Sequence, residues 1–464
     1  MIISENEESQ VSRLSKYPLA SFRELVTLSV PLIFACLSAS LLGLCDRLFL
    51  SHHSIEAWNA ASTSGYIAFF FQMLCIVIAM ISQTFIGQYL GANKPTKIGS
   101  IVWQMIWFSL LSMIITYPAS FVAEYYFKGT EIESAALSYF RPLALCNFLF
   151  PLNAAISAFF IGRGKTRIIL FSNLSIQLLN ILLDYLLIFG VGSFIPPLGT
   201  FGASLATIIS EATLCLILFM FFINPKYIPI YRTDKRRLNL KLFKEILKIG
   251  IPRALGRGMA ISSWAFAAHI LVQKGGDHLL VLTLGTSLFM IFTFVNEGMC
   301  QALTTIVSHI LGANRENAIR RLIRSAFTLL SISMLILSLP LIFFREQIIS
   351  LFITDPLLPS TLLLLKVTCS LIWVGCLANG INFITASLIT ASRDTFFYAC
   401  MVSMNWITIC IPVYFVIDYL SFPPFYFFLI DSINTVAFGI IYYLRFKRGM
   451  WKKHLQHLHN PAEA

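Results

Sequence analysis

Charge is scarce in this chain: Asp, Glu, Lys and Arg make up 12% of 464 residues, against 57% apolar residues and a mean hydropathy of +0.77. Soluble globular domains carry about a quarter charged residues, so this composition excludes that class and points to a polytopic membrane protein. Long polar stretches are equally rare, the main one running from Asn224 to Lys248. The ten cysteines fall within apolar runs and without CxxC spacing. A disulfide framework or zinc site is therefore not expected, and no metal or cofactor is assigned. GxxxxGK[ST] is absent, which leaves Gly162-Arg-Gly-Lys-Thr166 as a short turn rather than an ATP site. The first 24 residues hold Glu5, Glu7, Glu8, Arg13, Lys16 and Arg23 but no apolar h-region, so no cleaved signal peptide is expected.

What the chain has is apolar length. Runs of about 20 residues, enough to cross a bilayer, recur twelve times, at 25–50, 62–88, 99–121, 138–161, 168–190, 200–223, 246–272, 279–310, 325–344, 361–388, 396–417 and 424–445. An all-α protein of twelve transmembrane helices is expected, several of them long enough to tilt or protrude. Of the 34 Lys and Arg, 26 fall in the segments that share a side with both termini. Three lie on the opposite side (Lys128, Lys274, Arg345) and five inside apolar runs (Arg47, Arg141, Arg253, Arg257, Lys366). This asymmetry places both termini in the cytoplasm and the chain, read as a monomer, in the bilayer of an inner or plasma membrane. The net charge of +12 is thus topological, and no nucleic-acid partner is expected.

The chain divides into a cytoplasmic N-terminal segment (1–24), six spans (25–223), a cytoplasmic linker (224–245), six further spans (246–445) and a basic tail (446–464). The halves repeat. Pro31 and Pro252 are 221 residues apart, as are Gly91-Ala92-Asn93 and Gly312-Ala313-Asn314. Later the offset is 229, relating Asn153 to Asn382, Lys165-Thr166 to Asp394-Thr395, and Tyr185 to Tyr414. Six spans per half give both halves the same topology, two pseudo-symmetric six-helix lobes, and a duplication of this kind favours a solute transporter.

Two acids stand out against this background. Asp184 lies about 26 Å into its run at 1.5 Å per residue, where an unpaired charge costs at least about 3 kcal/mol. Asn180 is four residues earlier, so the two share one helix face and could hold one cation, proton or ligand between them. Asp46 is a second carboxylate, near the outer end of the first run.

The motifs VPLIFACLSASLLGLCDRLFLS, SQTFIGQYLGAN, GRGKTR, NILLDYLLIFG and GASLATIISE occur in this order, echoed by LGAN and TASRDT in the second half. From about Phe22 to Lys447 the chain thereby resembles the multidrug and toxic compound extrusion (MATE) transporters. The resemblance implies a rocker-switch antiporter, in which inward H⁺ or Na⁺ flow drives efflux of bulky, often cationic amphiphiles. It also implies an acidic N-lobe site at Asp46, Asn180 and Asp184, with Thr207 as neighbour. Depth agrees: Asp46 is 23 residues outward of Arg23, Asp184 is 17 outward of Arg167, and Thr207 is 8 inward of Gly199. Two carboxyls in one low-dielectric pocket cannot both ionise cheaply, so one holds a proton until a cationic substrate or Na⁺ displaces it. Where sodium-coupled members carry acids in the seventh and tenth spans, the register gives Ala260 and Asn379, which favours H⁺ over Na⁺ as coupling ion.

Arg253, Arg257 and Glu297 are read in two ways: Arg257 and Glu297 form an ion pair, or the arginines face the cargo path and admit an anion or lipid phosphate. Glu211 is either part of the site or bonded to a neighbouring helix. The rival functions are a flippase for a lipid-linked saccharide or an organic-anion exporter, for which only Arg253 and Arg257 argue. A lipid-carrier transferase would be an enzyme of another class, but Glu124, Glu131, Glu133 and His52-His53 show no catalytic spacing.

Overall fold

The computed structural model describes residues 13–192, 194, 196–353 and 357–455; Glu5, Glu7 and Glu8 and the last nine residues of the basic tail lie outside them. The described residues are organised as helices in the order expected for twelve spans. These are α1 (Phe22–His53), α2 (Ile55–Gly91), α3 (Pro95–Phe127), α4 (Glu133–Leu145 and Leu149–Gly162), α5 (Thr166–Phe189) and α6 (Gly199–Phe222). The second six are α7 (Leu240–Lys274), α8 (Gly276–Gly312), α9 (Asn317–Phe343), α10 (Pro359–Ala391), α11 (Thr395–Tyr419) and α12 (Tyr426–Lys447).

The two segments of α4 meet at a 44° bend. Pro151 explains it: lacking an N–H, it cannot donate to the carbonyl of Asn147, and its ring crowds that carbonyl. The Asn147 oxygen accepts from Phe150 N instead, at 3.2 Å.

The repeated LGAN motif proves to be a helix stop. Asn93 and Asn314 both adopt the left-handed conformation, at φ 55° and 54°. Beyond them Lys94 N donates to Tyr89 O (2.8 Å) and Arg315 N to Ile310 O (3.0 Å), the six-to-one bond that closes a helix C-terminus. Asparagine serves here because its short polar side chain tolerates positive φ.

The chain forms two compact units. One comprises residues 13–14, Phe34–Ala254 and Gly312–Asn314; the other comprises Ser15–Ile33, Leu255–Leu311 and residues 315–455. Within the first, the polar stretch after α6 is strapped to α3. Trp103 Nε1 donates to Thr233 O (2.7 Å), Trp107 Nε1 to Arg236 O (2.9 Å) and Gln104 Nε2 to Arg237 O (3.2 Å), while Gln104 Oε1 accepts from Asn239 N (2.9 Å). Gly99 permits this approach, since a Cβ there would lie 2.4 Å from Arg232 O. The Arg163 guanidinium, at the end of α4, lies over the rings of Tyr231, Tyr227 and Phe159 at 4.0 to 4.3 Å, pinning the same stretch from its other side.

Candidate functional site

In the first unit, α5 and α6 pack so closely that a Cβ on Gly202 would meet Leu187 O at 2.5 Å. That contact, with Ala203, Ile188, Leu50, Ala57 and Ala61 in one apolar cluster, sets α1, α2, α5 and α6 around a common polar point. Asp184 is 0% exposed and Asn180 1% exposed, one turn apart on α5. Asp46, on α1, has one carboxyl oxygen fully buried, and its carboxyl interacts directly with that of Asp184. Tyr139, on α4, feels both acids and stands against Gly65 of α2, where a Cβ would lie 3.6 Å from the ring. Thr207 lies on α6, where its Oγ1 donates back to Ala203 O at 3.1 Å and leaves its lone pairs uncommitted.

The chemistry of the group lies in what it lacks. Asp46 Oδ1, both oxygens of Asp184, and both Oδ1 and Nδ2 of Asn180 are buried without a hydrogen-bond donor or acceptor in geometry to satisfy them. Two carboxylates offer each other only acceptors, and each unsatisfied buried group costs about 1–3 kcal/mol. A proton shared between Asp46 and Asp184, or a cation set among Asp46, Asp184 and the Asn180 oxygen, supplies the missing partner. Arg47, the next residue on α1, acts on Asp46 through its charge, and its guanidinium sits 5.5 Å from the ring centroid of Tyr66.

The other singled-out cations find partners. Arg257 Nη2 lies 3.4 Å from Glu297 Oε1 in the second unit, and Arg141 Nη2 lies 2.9 Å from Glu124 Oε2 in the first. Lys274 reaches Asp418 at 3.2 Å, and Lys366 pairs with Glu346. Arg253, on the same helix as Arg257, falls in the first unit and is not part of that pair. Glu211 bonds Asn153 of α4, whose Nδ2 donates to Oε2 at 2.5 Å and to the Glu211 carbonyl at 2.9 Å. At Asn379 an amide pair stands in place of an acid: Asn296 Nδ2 donates to Cys376 O (2.8 Å) and to Asn379 Oδ1 (3.4 Å).

Two residues escaped the sequence reading. Tyr139 is one of 16 tyrosines, and nothing in its neighbourhood marks it. Asp431, on α12, is partly buried with no ion pair or hydrogen bond to its carboxyl among the described residues; an acid seven residues into an apolar run was the available signal.

Among the described residues eleven helices, or twelve with the bent α4 taken as one span, are long and apolar enough to cross a membrane, which defines a multi-pass integral membrane protein with a buried acidic pair. The MatE family model matches residues 31–186 and 254–420, well over half of the chain. The protein belongs to the MATE family of transporters. The chain is 26% identical over 346 residues to a probable multidrug resistance protein NorM of Thermotoga maritima, covering 72% of this chain and 73% of that one. With a NorM of the same description from Bacillus licheniformis it shares 25% identity over 448 residues, 91% and 95% of the two chains. In fold it is similar to a MATE protein crystallised in a straight conformation (TM-score 0.83, 18% identity, 96% and 99% covered). A MOP-superfamily transporter of Pyrococcus furiosus, whose reversed binding-pocket polarity suggests a different function, is likewise similar (TM-score 0.80, 17% identity, 97% and 100% covered).

Proposed function

We propose that this protein is a secondary active antiporter that exports bulky, cationic amphiphilic compounds in exchange for H⁺, with Na⁺ the alternative coupling ion. Asp46, Asn180 and Asp184 form the coupling site and Thr207 its neighbour. The observation that carries the reading is the buried Asp46–Asp184 pair with no donor to satisfy it. Such a pair takes a proton or a cation, and cargo and proton then compete for one negative site, which is the minimal requirement of antiport. The multidrug resistance description of the NorM relatives agrees with a cationic drug-like cargo. The charge asymmetry of the sequence supports cytoplasmic termini, so that cargo leaves the cytoplasm as protons enter. The anionic-cargo alternative loses its main support because Arg257 is engaged by Glu297.

The test is transport of a fluorescent lipophilic cation in proteoliposomes under an imposed proton gradient and then a sodium gradient, for the unmodified protein and Asp184→Asn. Proton-driven transport that disappears in the variant is the expected result. No cation movement under either gradient, with the protein folded and inserted, would overturn it.

A further inference from the structure

Glu211 is a second intramembrane acid of the first unit, and its surroundings differ in kind from those of the carboxyl pair. It lies on α6, one helical turn beyond Thr207 and on the same face, in the direction of Phe222. Asn153 is 5% exposed and spends both hydrogens of its amide on this one residue, one on Oε2 at 2.5 Å and one on the main-chain oxygen at 2.9 Å. Its own Oδ1 is buried and has no partner.

The second half of the chain supplies a control. Asn382, the repeat counterpart of Asn153, makes the same main-chain bond, from Nδ2 to Thr435 O at 3.0 Å. The helix-to-helix tie therefore needs only asparagine and a carbonyl, and a threonine serves at the position where the first half has Glu211. The carboxyl is an addition to the tie, not a part of it.

That addition makes chemical sense only with a proton on it. A carboxylate has acceptors alone, so it leaves Asn153 Oδ1 orphaned in a buried setting. A protonated carboxyl keeps one oxygen for the amide N–H and offers its O–H to the amide oxygen, closing a two-bond acid–amide pair in which each group satisfies the other. The elements packed against α6 carry other titratable and charged groups at membrane depth: Tyr66 and Cys75 on α2, Tyr139, Arg141 and Cys146 on α4, Asp184 and Tyr185 on α5, and Cys36, Cys45, Asp46 and Arg47 on α1. The Glu211 carboxyl interacts with Asn153 and with Cys215 of α6 itself.

We propose that Glu211 is a second proton-holding site of this transporter, held by Asn153 as a neutral acid–amide pair and separate from the Asp46–Asp184 pair. Its place in the transport cycle rests on the proton-coupled reading above. As a site it stands on its own geometry.

Infrared spectra of the purified protein at neutral pH, in a detergent without ester groups and in H₂O and D₂O, test it. The probe is the carbonyl stretch of protonated carboxylic acids, read for the unmodified protein, Glu211→Gln, Asp184→Asn and Asn153→Ala. Glu211→Gln is expected to lose one such band while keeping the band that Asp184→Asn removes. Asn153→Ala, which retains the carboxyl and serves should Glu211→Gln fail to insert, is expected to move the Glu211 band to higher frequency as its hydrogen bonds are lost. Spectra of Glu211→Gln and the unmodified protein that superimpose in this region, or a band indifferent to Asn153→Ala, would overturn the proposal. Failure of the antiport reading would show instead as no cation movement under a proton or a sodium gradient, with the Glu211 band still present.

Discussion

Replacing Asp184 by asparagine separates a functional carboxyl pair from a packing contact, because the two predict opposite signs. In the structure neither Asp184 oxygen has a donor, and Asp46 Oδ1 has none either. Asparagine brings an amide N–H₂ to this point without changing volume, so Asp46 gains a donor and loses a like-charged neighbour. One restored buried hydrogen bond is worth about 1–3 kcal/mol. Asp184→Asn should therefore be more stable than the unmodified protein at alkaline pH, where the shared proton has left the pair, with a smaller difference in acid. Function moves the other way. A monovalent cation about 4 Å from a carboxylate gains about 4 kcal/mol at an effective dielectric of about 20. Desolvation removes part of that, so the loss of affinity for a cation such as tetraphenylphosphonium should lie between about tenfold and a thousandfold. Thermal unfolding across pH and equilibrium cation binding in detergent measure the two effects. A variant that is destabilised at every pH while binding cations and coupling protons as before would refute the reasoning and leave Asp184 and Asn180 as a helix-packing pair.

Four further outcomes are expected. Gly202→Ala sets a Cβ against the main chain of Leu187, 2.5 Å from its oxygen; overpacking of this kind costs about 1–3 kcal/mol and should lower both melting temperature and transport, since Asp184 sits one turn away. Gln104→Ala removes both bonds that hold Arg237 and Asn239 to α3, so limited trypsin digestion should cut the 224–245 stretch faster, with no change in cation affinity. A double-mutant cycle of Arg257→Gln and Glu297→Gln should return a coupling of about 0.5–1 kcal/mol, because the pair is about a third or more exposed at both side chains. Glu346, in the short helix Arg345–Phe352, has its carboxyl held below the usual range by the hydrogen bond and charge of Lys366. Its contribution is therefore present above the unfolded carboxyl range and lost as pH falls through the lower folded value; Glu346→Gln should flatten the acid limb of the stability profile slightly, and high salt should erase the difference.

The spans and the acid pair were legible for the same reason: in a chain so poor in charge, an acid in an apolar run is conspicuous, and helical spacing assigns its face. Asn180 and Asp184 share a face by periodicity alone, and Asp46 joins them at matching depth. The bend of α4 was legible in principle from Pro151, but proline alone does not say whether a span kinks or ends. The strap on α3 was not legible. It rests on indole and amide groups of Trp103, Gln104 and Trp107 meeting main-chain carbonyls, and such bonds place no demand on the residues at the other end. The LGAN repeat was visible as a repeat, while its role as a helix stop emerged only with the positive φ of Asn93 and Asn314. Asp431 was visible but unplaced. The Asn382–Thr435 bond places it, since Thr435 matches Glu211 and Asp431 then matches Thr207, four residues earlier in each helix.

The two halves share a scaffold and differ in charge, and the difference indicates where a proton can act. Shared features need no titratable group: the asparagine stops at Asn93 and Asn314, and the amide-to-carbonyl ties of Asn153 and Asn382. The first half adds Asp46, Asp184 and Glu211, each in a setting where ionisation leaves polar atoms unsatisfied. Two polar contacts of the second half are made by amides, Asn296 to Asn379 and Asn434 to Asn405 at 3.0 Å, whose charge is the same at every pH, and its acids at Glu297, Glu346 and Asp418 are paired with cations. Protonation therefore changes the bonding of the first half in at least two places and leaves these two amide contacts unaltered. Asp431 is a second-half acid whose carboxyl has no ion pair or hydrogen bond among the described residues. It matches the Thr207 position, and among the described residues it has none of the like-charge contact through which, on the proposed reading, the first-half pair holds a proton and releases it to a competing cation. On the proposed proton-coupled reading, one half of the repeat draws on the proton, and the duplicated half contributes structure without duplicating the coupling chemistry.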